Sequence, residues 1–224
     1  MPAIRALAFD AYGTLLDTVS ATRRHAARVG PQWEAFSALW RAKQFEYTWV
    51  RSLAGPAQHV DFARIVDDAL NFAAASHGVS DTALLAELRD SFERLEAFAD
   101  AAAVLGALRD AGVARAILSN GTPSMLSRQL AATGLRDLFD HVLSVEAAGV
   151  FKPDPKVYQL AVDRFGCTAA EIGFVSSNPW DAFGAYAFGF PVFWINRKQQ
   201  PDEYGLHRHV TILPDLSGLP ARLG

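Results

Sequence analysis

The sequence predicts an α/β fold, a doubly wound and mostly parallel sheet with an all-helical segment inserted after the first strand. Three observations predict it. One short apolar run stands alone near the start of the chain. From about residue 20 to residue 98 helical spacing dominates and few credible strands occur. From about residue 100 onward, short apolar runs ending in polar residues alternate with helical segments, most of them stopped by glycine.

The elements follow in order. Ile4-Arg5-Ala6-Leu7-Ala8-Phe9 reads as a buried strand that leaves the sheet at Asp10 and turns at Gly13. The helical stretch is marked by Trp33, Phe36, Leu39 and Trp40, then by Phe45, Trp49 and Leu53. Gly55-Pro56 and Gly78 divide it into several helices. A helix over 101–111 stops at Gly112, and a strand over 114–118 ends at Ser119-Asn120-Gly121. A helix over 123–133 stops at Gly134, and a strand follows over 141–145. Pro153-Asp154-Pro155 opens a helix over 154–165 that Gly166 closes. A strand over 172–175 ends at Ser176, a helix spans 179–188, a strand spans 191–195, and 210–213 adds an edge strand. Repeated strand–helix–strand units imply right-handed crossovers and a Rossmann-like core. Residues 1–17 and 99–224 form that core in this reading, and 18–98 form a helical cap over the sheet's carboxyl edge.

Composition excludes several function classes. A chain of 224 residues suffices for one core with a smaller insert, and its half-hydrophobic, one-fifth-charged content is that of a folded protein. Lys plus Arg number 21 against 24 Asp plus Glu, a net charge of −3, which leaves no footprint for nucleic acid. The apolar stretch before Asp10 is too short for a secretory signal. No run approaches the ~18 apolar residues that span a bilayer. The lone Cys167 fits a reducing compartment. A cytoplasmic protein with no membrane partner is the expectation.

In an open parallel sheet, ligands bind beyond the carboxyl ends of the strands. Those ends carry Asp10, Ser119-Asn120 and Ser176-Ser177-Asn178, with Lys152 ahead of a helix and Asp181 five residues past Ser176. Each alone is commonly a turn or cap residue. Their convergence from four segments on one edge is what points to chemistry.

Phe9-Asp10-Ala11-Tyr12-Gly13-Thr14-Leu15 resembles the nucleophile motif of the haloacid dehalogenase superfamily. Ile117-Leu118-Ser119-Asn120-Gly121, Lys152-Pro153-Asp154-Pro155 and Ser176-Ser177-Asn178-Pro179-Trp180-Asp181 resemble its second, third and fourth motifs. With Trp40-Arg41-Ala42-Lys43-Gln44-Phe45-Glu46-Tyr47 in the cap, the resemblance is to its L-2-haloacid dehalogenases and covers nearly the whole chain.

Most superfamily members are magnesium-dependent phosphatases with a second Asp two residues after the nucleophile. Tyr12 stands there in this chain, a poor proton donor near neutral pH given its ordinary pKa of ~10. The fourth motif offers Ser177 and Asn178 where acidic residues recruit Mg2+, leaving Asp181 as its only acid. Halide departs from carbon as a stable anion, so neither a general acid nor a metal is required, and no cofactor is expected.

The resemblance implies that Asp10 attacks C2 of an (S)-2-haloacid, forming an ester that water then hydrolyses. It places Arg41 and Asn120 at the departing halide, Ser119 at the substrate carboxylate, and Thr14, Lys152 and Tyr158 in support of Asp10. Ser176, Asn178 and Asp181 would position the hydrolytic water and hold Lys152, with Asp181 as the base partner. Tyr12, residues beside Gln44, Phe62 and Trp180 would form an apolar wall.

Blander readings stand beside these. Thr14 fits a turn, Tyr158 an ordinary amphipathic helix, and Arg41 a solvated helix charge outside its motif context. Lys43 reads as solvated, and Trp33, Trp40 and Trp49 as cap core or interface. His207 and His209, at strand-like spacing, read as surface residues without a third metal ligand. Cys167 reads as buried and inert. The family resemblance also implies a homodimer, with Trp40, Phe45 and Trp49 as its seam. Two other functions compete: a Mg2+-dependent small-molecule phosphatase, and a non-catalytic ligand-binding protein.

Overall fold

The computed structural model describes residues 3–223. Strands β1 (Ala6–Phe9) and β2 (Leu16–Asp17) precede five helices: α1 (Ser20–Arg23), α2 (Ala26–Val29), α3 (Trp33–Ala54), α4 (Phe62–His77) and α5 (Thr82–Phe92). Strand β3 (Glu96–Ala97) returns the chain to α6 (Ala101–Asp110), β4 (Ala114–Ser119), α7 (Pro123–Thr133) and β5 (His141–Ser144). Then come α8 (Pro155–Phe165), β6 (Ile172–Ser176), α9 (Pro179–Phe188), β7 (Val192–Ile195) and β8 (Thr211–Leu213).

The main sheet has six strands in the order β5-β4-β1-β6-β7-β8, and every pairing is parallel. Strand β1 lies at its centre, with Phe9 opposite Ile117 of β4 on one side and Val175 of β6 on the other. The chain builds one half of the sheet through β4 and β5, then crosses to β6. The carboxyl end of β1 is therefore the topological switch point, where an α/β sheet opens a crevice. Strands β1 and β6 are buried along their whole length, which is why they read as apolar runs without alternation.

The expected helices over 123–133 and 179–188 match α7 and α9, and the other expected elements of the core lie within two residues of the observed ones. Helix α8 begins one residue late because Asp154 is its cap, its carboxylate accepting Lys156 N at 2.9 Å. Gly134 and Gly166 end α7 and α8 with φ of 69° and 62°, the left-handed turn that glycine adopts without strain.

The sequence gives no sign of the ribbon formed by β2 and β3, which pair antiparallel with Leu16 opposite Ala97 and Asp17 opposite Glu96. Two-residue strands are too short to show a period. The ribbon joins the chain's path into the helical cap with its path out. Ser20 ties it further, its hydroxyl donating to Asp17 O at 2.6 Å and accepting from Glu96 N at 3.1 Å.

The apolar faces of the cap helices pack together and are continuous with the core around the sheet. Phe36 and Trp40 of α3 pack on Ile65, Val66, Ala69, Leu70 and Ala73 of α4, all buried at helical spacing. Trp40 Nε1 donates to Val66 O at 3.0 Å, so its polar end is satisfied inside that core. Trp33 is half-buried against the same cluster. Among the described residues no helix is long and apolar enough to cross a membrane.

Candidate active site

The site is built outward from Asp10, the first residue past β1. Its amide still donates to Val175 O at 2.9 Å, which holds the side chain at the crevice, 5% exposed. Oδ2 accepts from Thr14 Oγ1 at 2.9 Å and from Asn178 Nδ2 at 2.8 Å, and Oδ1 accepts from Lys152 Nζ at 3.1 Å. Thr14 Oγ1 itself accepts from Ser177 N at 2.8 Å, so its hydrogen is directed at Asp10. The turn that brings Thr14 back needs Gly13 at φ 93°.

Lys152, 1% exposed, bridges two carboxylates, Asp10 at 3.1 Å and Asp181 Oδ2 at 2.9 Å. Burial opposes its charge, but Asp10 and Asp181 outweigh burial and raise its pKa. Asp181 is fully buried; Ser176 Oγ donates to Oδ2 at 3.0 Å and Tyr158 Oη to Oδ1 at 2.8 Å. Burial, opposed by Lys152 and reinforced by Asp10, pushes Asp181 up to about 6. Burial and the Asp181 charge push Tyr158 well above the ordinary tyrosine range, so it remains a donor.

The cap contributes Arg41. One guanidinium nitrogen donates to Tyr12 O at 2.9 Å, another to Gln44 Oε1 at 2.8 Å, and the group lies 4.2 Å from the Phe45 ring centroid. Burial lowers its pKa, Asp10 opposes the shift, and it stays a cation near neutral pH. Asn178 Nδ2 reaches the same Tyr12 carbonyl at 3.1 Å. At the end of β4, Ser119 Oγ accepts from Gly121 N at 3.1 Å, and Asn120 Oδ1 accepts from Lys152 N at 3.1 Å. Beside this cluster opens a cavity of about 720 Å³, lined in part by Gly13, Arg41, Phe45, Trp49, Asn178 and Trp180 but not by Asp10, Ser119 or Asn120.

Asp10, Thr14, Lys152, Tyr158, Ser176, Asn178 and Asp181 thus form one connected hydrogen-bond network, with Arg41 joined to it through Tyr12 O. Tyr12 stacks on Phe92 and packs on Phe62, both at 5.5 Å between centroids. Its hydroxyl is buried without a partner, and burial followed by the Glu93 charge raises its pKa, which removes it from acid catalysis. Trp180 packs edge-on against Phe45 and Trp49, at 5.1 and 5.5 Å.

Several expectations need correction. Asn178 does not hold Lys152; its amide is spent on Asp10 and the Tyr12 carbonyl, and Asp10 and Asp181 hold the ammonium. Phe45 and Trp49 line the cavity, and Trp40 is buried within the cap. Arg41, Phe45 and Trp49 repeat every four residues, a stripe on α3 turned toward the core, and that spacing was the overlooked signal. Lys43 is half-buried, 2.7 Å from Glu46 and 4.5 Å from the Phe72 ring, rather than solvated. Cys167 is half-buried, not buried; burial and Glu171 raise its pKa and keep it a thiol. His207 and His209 are exposed as expected, but His207 lies within a 3-10 turn over Leu206–Arg208 and His209 just after it, not on a strand. Among the described residues no three His, Cys, Asp or Glu side chains gather as metal ligands.

Arg197 escaped the sequence reading. It donates to Thr14 O at 3.2 Å and forms a two-pronged pair with Asp100 at 2.8 and 3.0 Å, clamping the nucleophile turn to the start of α6. Nothing local in the sequence marks it.

A family model described as haloacid dehalogenase-like hydrolase matches residues 4–189. The chain is 45% identical over 224 residues to (S)-2-haloacid dehalogenase 1 of Pseudomonas sp. (strain CBS-3), covering all of this chain and 98% of that protein. The chain belongs to the haloacid dehalogenase-like hydrolases, in the (S)-2-haloacid dehalogenase family. (S)-2-haloacid dehalogenase 4A of Burkholderia cepacia is 46% identical over 202 residues, covering 90% of this chain and 87% of that one. The solved L-2-haloacid dehalogenase of Xanthobacter autotrophicus, with chloropropionic acid covalently bound, superposes with a TM-score of 0.88 at 36% identity, covering 97% of each chain. In this dehalogenase family member the six-stranded parallel sheet and the helical cap are those the sequence predicts.

Proposed function

We propose that the protein hydrolyses short (S)-2-haloacids to (R)-2-hydroxyacids through an ester on Asp10, without a metal. The observation that carries the reading is the surroundings of Asp10: a buried carboxylate held by one ammonium and two neutral donors, with Tyr12 where a phosphatase needs a second acid. The solved relative that holds covalent chloropropionic acid supports the same chemistry.

Asp10 Oδ2 accepts two hydrogen bonds while Oδ1 accepts one, so Oδ1 keeps the freer lone pair for attack on C2. The Oδ1–C2 bond forms as the carbon–halogen bond breaks. Its electron pair leaves with the halide toward Arg41 and Asn120, and C2 inverts. Water then adds to Asp10 Cγ and gives one proton to Asp181, whose pKa of about 6 suits a base near neutral pH. The ester oxygen leaves with C2 and takes the second proton, which restores the Asp10 carboxylate and frees the 2-hydroxyacid. Asp181 returns its proton to solvent, so one water yields one halide and one proton.

The donor set does not fit Mg2+, which calls for oxygen ligands in octahedral array. The Lys152 ammonium already sits between the two carboxylates that would bind the ion, and Asn178 presents its N–H side to Asp10. The cap boundaries are proposed as 18–98 and the core as 1–17 with 99–224, supported by the β2–β3 ribbon at the crossing. Residues 1, 2 and 224 of that core lie outside the described residues.

The test is ion chromatography of halide released from (S)- and (R)-2-chloropropionate, with and without EDTA, by the native protein and by Asp10→Asn. Chloride from the (S) form alone, insensitive to EDTA and absent in Asp10→Asn, is expected. EDTA-sensitive phosphate release from small phosphoesters, with no halide from either enantiomer, would overturn the reading.

A further inference from the structure

The structure assigns to Gly184 a positioning role in the hydrolysis of the Asp10 ester: the side chain it lacks is the space through which the Tyr158 hydroxyl reaches Asp181. The inference rests on the reading of Asp10 and Asp181 above and adds a residue outside the recognised motifs. Asp181 and Gly184 are three residues apart on α9 and so lie on the same helix face. Tyr158, from α8, lies across that face and donates to Asp181 Oδ1 at 2.8 Å. A Cβ at Gly184 would stand 2.5 Å from Tyr158 Oη, 2.6 Å from Pro153 Cβ and 3.3 Å from Tyr158 Cε2.

Tyr158 has no room to retreat, whereas Pro153 is exposed. Tyr158 is fully buried, packed by the rings of Phe174, Phe188 and Phe190 at 5.6, 5.8 and 6.0 Å. Interiors packed this closely transmit a displacement rather than absorb it. Pro153 follows Lys152, whose ammonium joins Asp181 to Asp10. Gly184 has no left-handed backbone to accommodate, and helix propensity favours alanine at an interior helical position. Space for Tyr158 and Pro153 is what glycine supplies there. Loss of that space moves the one donor on Asp181 Oδ1, and the groups left facing Asp181 are Lys152, Ser176 and Asp10.

The experiment compares four proteins: native, Gly184→Ala, Tyr158→Phe and the double variant. The readouts are kcat, KM and pH profile on (S)-2-chloropropionate, intact-mass detection of the Asp10 ester in quenched turnover, and Tm. Each single variant is expected to lower kcat on the order of 10- to 100-fold, the scale of an ångström-level misplacement, with KM falling in step so that kcat/KM is little changed. The ester accumulates, and the acid limb of kcat moves to higher pH, because a hydrogen bond favouring the Asp181 anion is lost. Adding Gly184→Ala to Tyr158→Phe is expected to cost less than about threefold more, the signature of two residues acting through one contact.

An equal loss from Gly184→Ala in both backgrounds, or an unmoved acid limb, would overturn the proposal as ordinary helix packing. Should Gly184→Ala fail to fold, Tyr158→Phe decides alone: native kcat and pH profile in that variant overturn the proposal. No halide from the native protein would instead overturn the dehalogenase reading. The Tm values of the four proteins would then test the Gly184–Tyr158 contact by their non-additivity.

Discussion

Lys152→Met is the perturbation that most directly tests how this site is held together. The substitution keeps an unbranched apolar stem and removes the ammonium that stands 3.1 Å from Asp10 and 2.9 Å from Asp181. Both carboxylates remain buried, so solvation does not replace the lost attraction. Removing one partner of a buried ion pair typically costs about 3–5 kcal/mol. For a chain of this size each kcal/mol lowers Tm by about 2–4 °C, so a fall of roughly 6–20 °C is expected near pH 8.

The sign of the pH dependence follows from Asp181. Its pKa is already raised in the native fold to about 6, so its contribution to stability is present below the unfolded value and lost as pH rises through about 6. Without Lys152 that pKa rises further, and the pair of carboxylates is relieved only by taking up a proton. The deficit of the variant relative to the native protein therefore grows between pH 5 and pH 8. Scanning calorimetry of both proteins across that range measures it, with chloride release followed in parallel. An equal deficit at pH 5 and pH 8, or turnover within about tenfold of native, would refute the reasoning, since loss of a contact made in the transition state costs about 10²-fold or more.

Two further outcomes are expected. Arg41→Lys keeps the charge but loses the fork that spans Tyr12 O and Gln44 Oε1, and should slow halide departure by about 10²-fold without ester accumulating; rapid-quench chloride measurement checks it, and a native-sized burst would count against the role. Trp40→Ala should cost about 3–5 kcal/mol, because the indole fills the α3–α4 core and its Nε1–H satisfies Val66 O; a denaturant-melt difference under about 1 kcal/mol would contradict that packing.

What was legible before the structure was what is local. Strand β6 declares itself because a strand buried on both faces must be apolar throughout, and Gly134 and Gly166 stop their helices because the turn needs a left-handed residue. The parallel order of such units places Asp10, Ser119, Lys152 and Ser176 at one edge, whereas Thr14, Arg41 and Tyr158 are singled out only by the family resemblance. The side of α3 that faces the core was also present, in the four-residue repeat of Arg41, Phe45 and Trp49, but overlooked for the cap-core pattern that overlaps it.

Only the tertiary structure decided which atoms meet. Asn178 donates to Asp10 across 168 positions of sequence and Lys152 across 142, and the sheet's register and the approach of β6 to β1 set those distances. The raised pKa of Asp181 is likewise no property of the motif; burial and the Asp10 charge produce it against the opposing pull of Lys152. The β2–β3 ribbon, the Arg197 clamp and the gap at Gly184 belong to the same class. Periodicity and turn residues act over a few positions and determine the elements and their order. Hydrogen bonds and close contacts at the site depend on ångström-scale placement of segments far apart in the chain, and packing alone sets that placement.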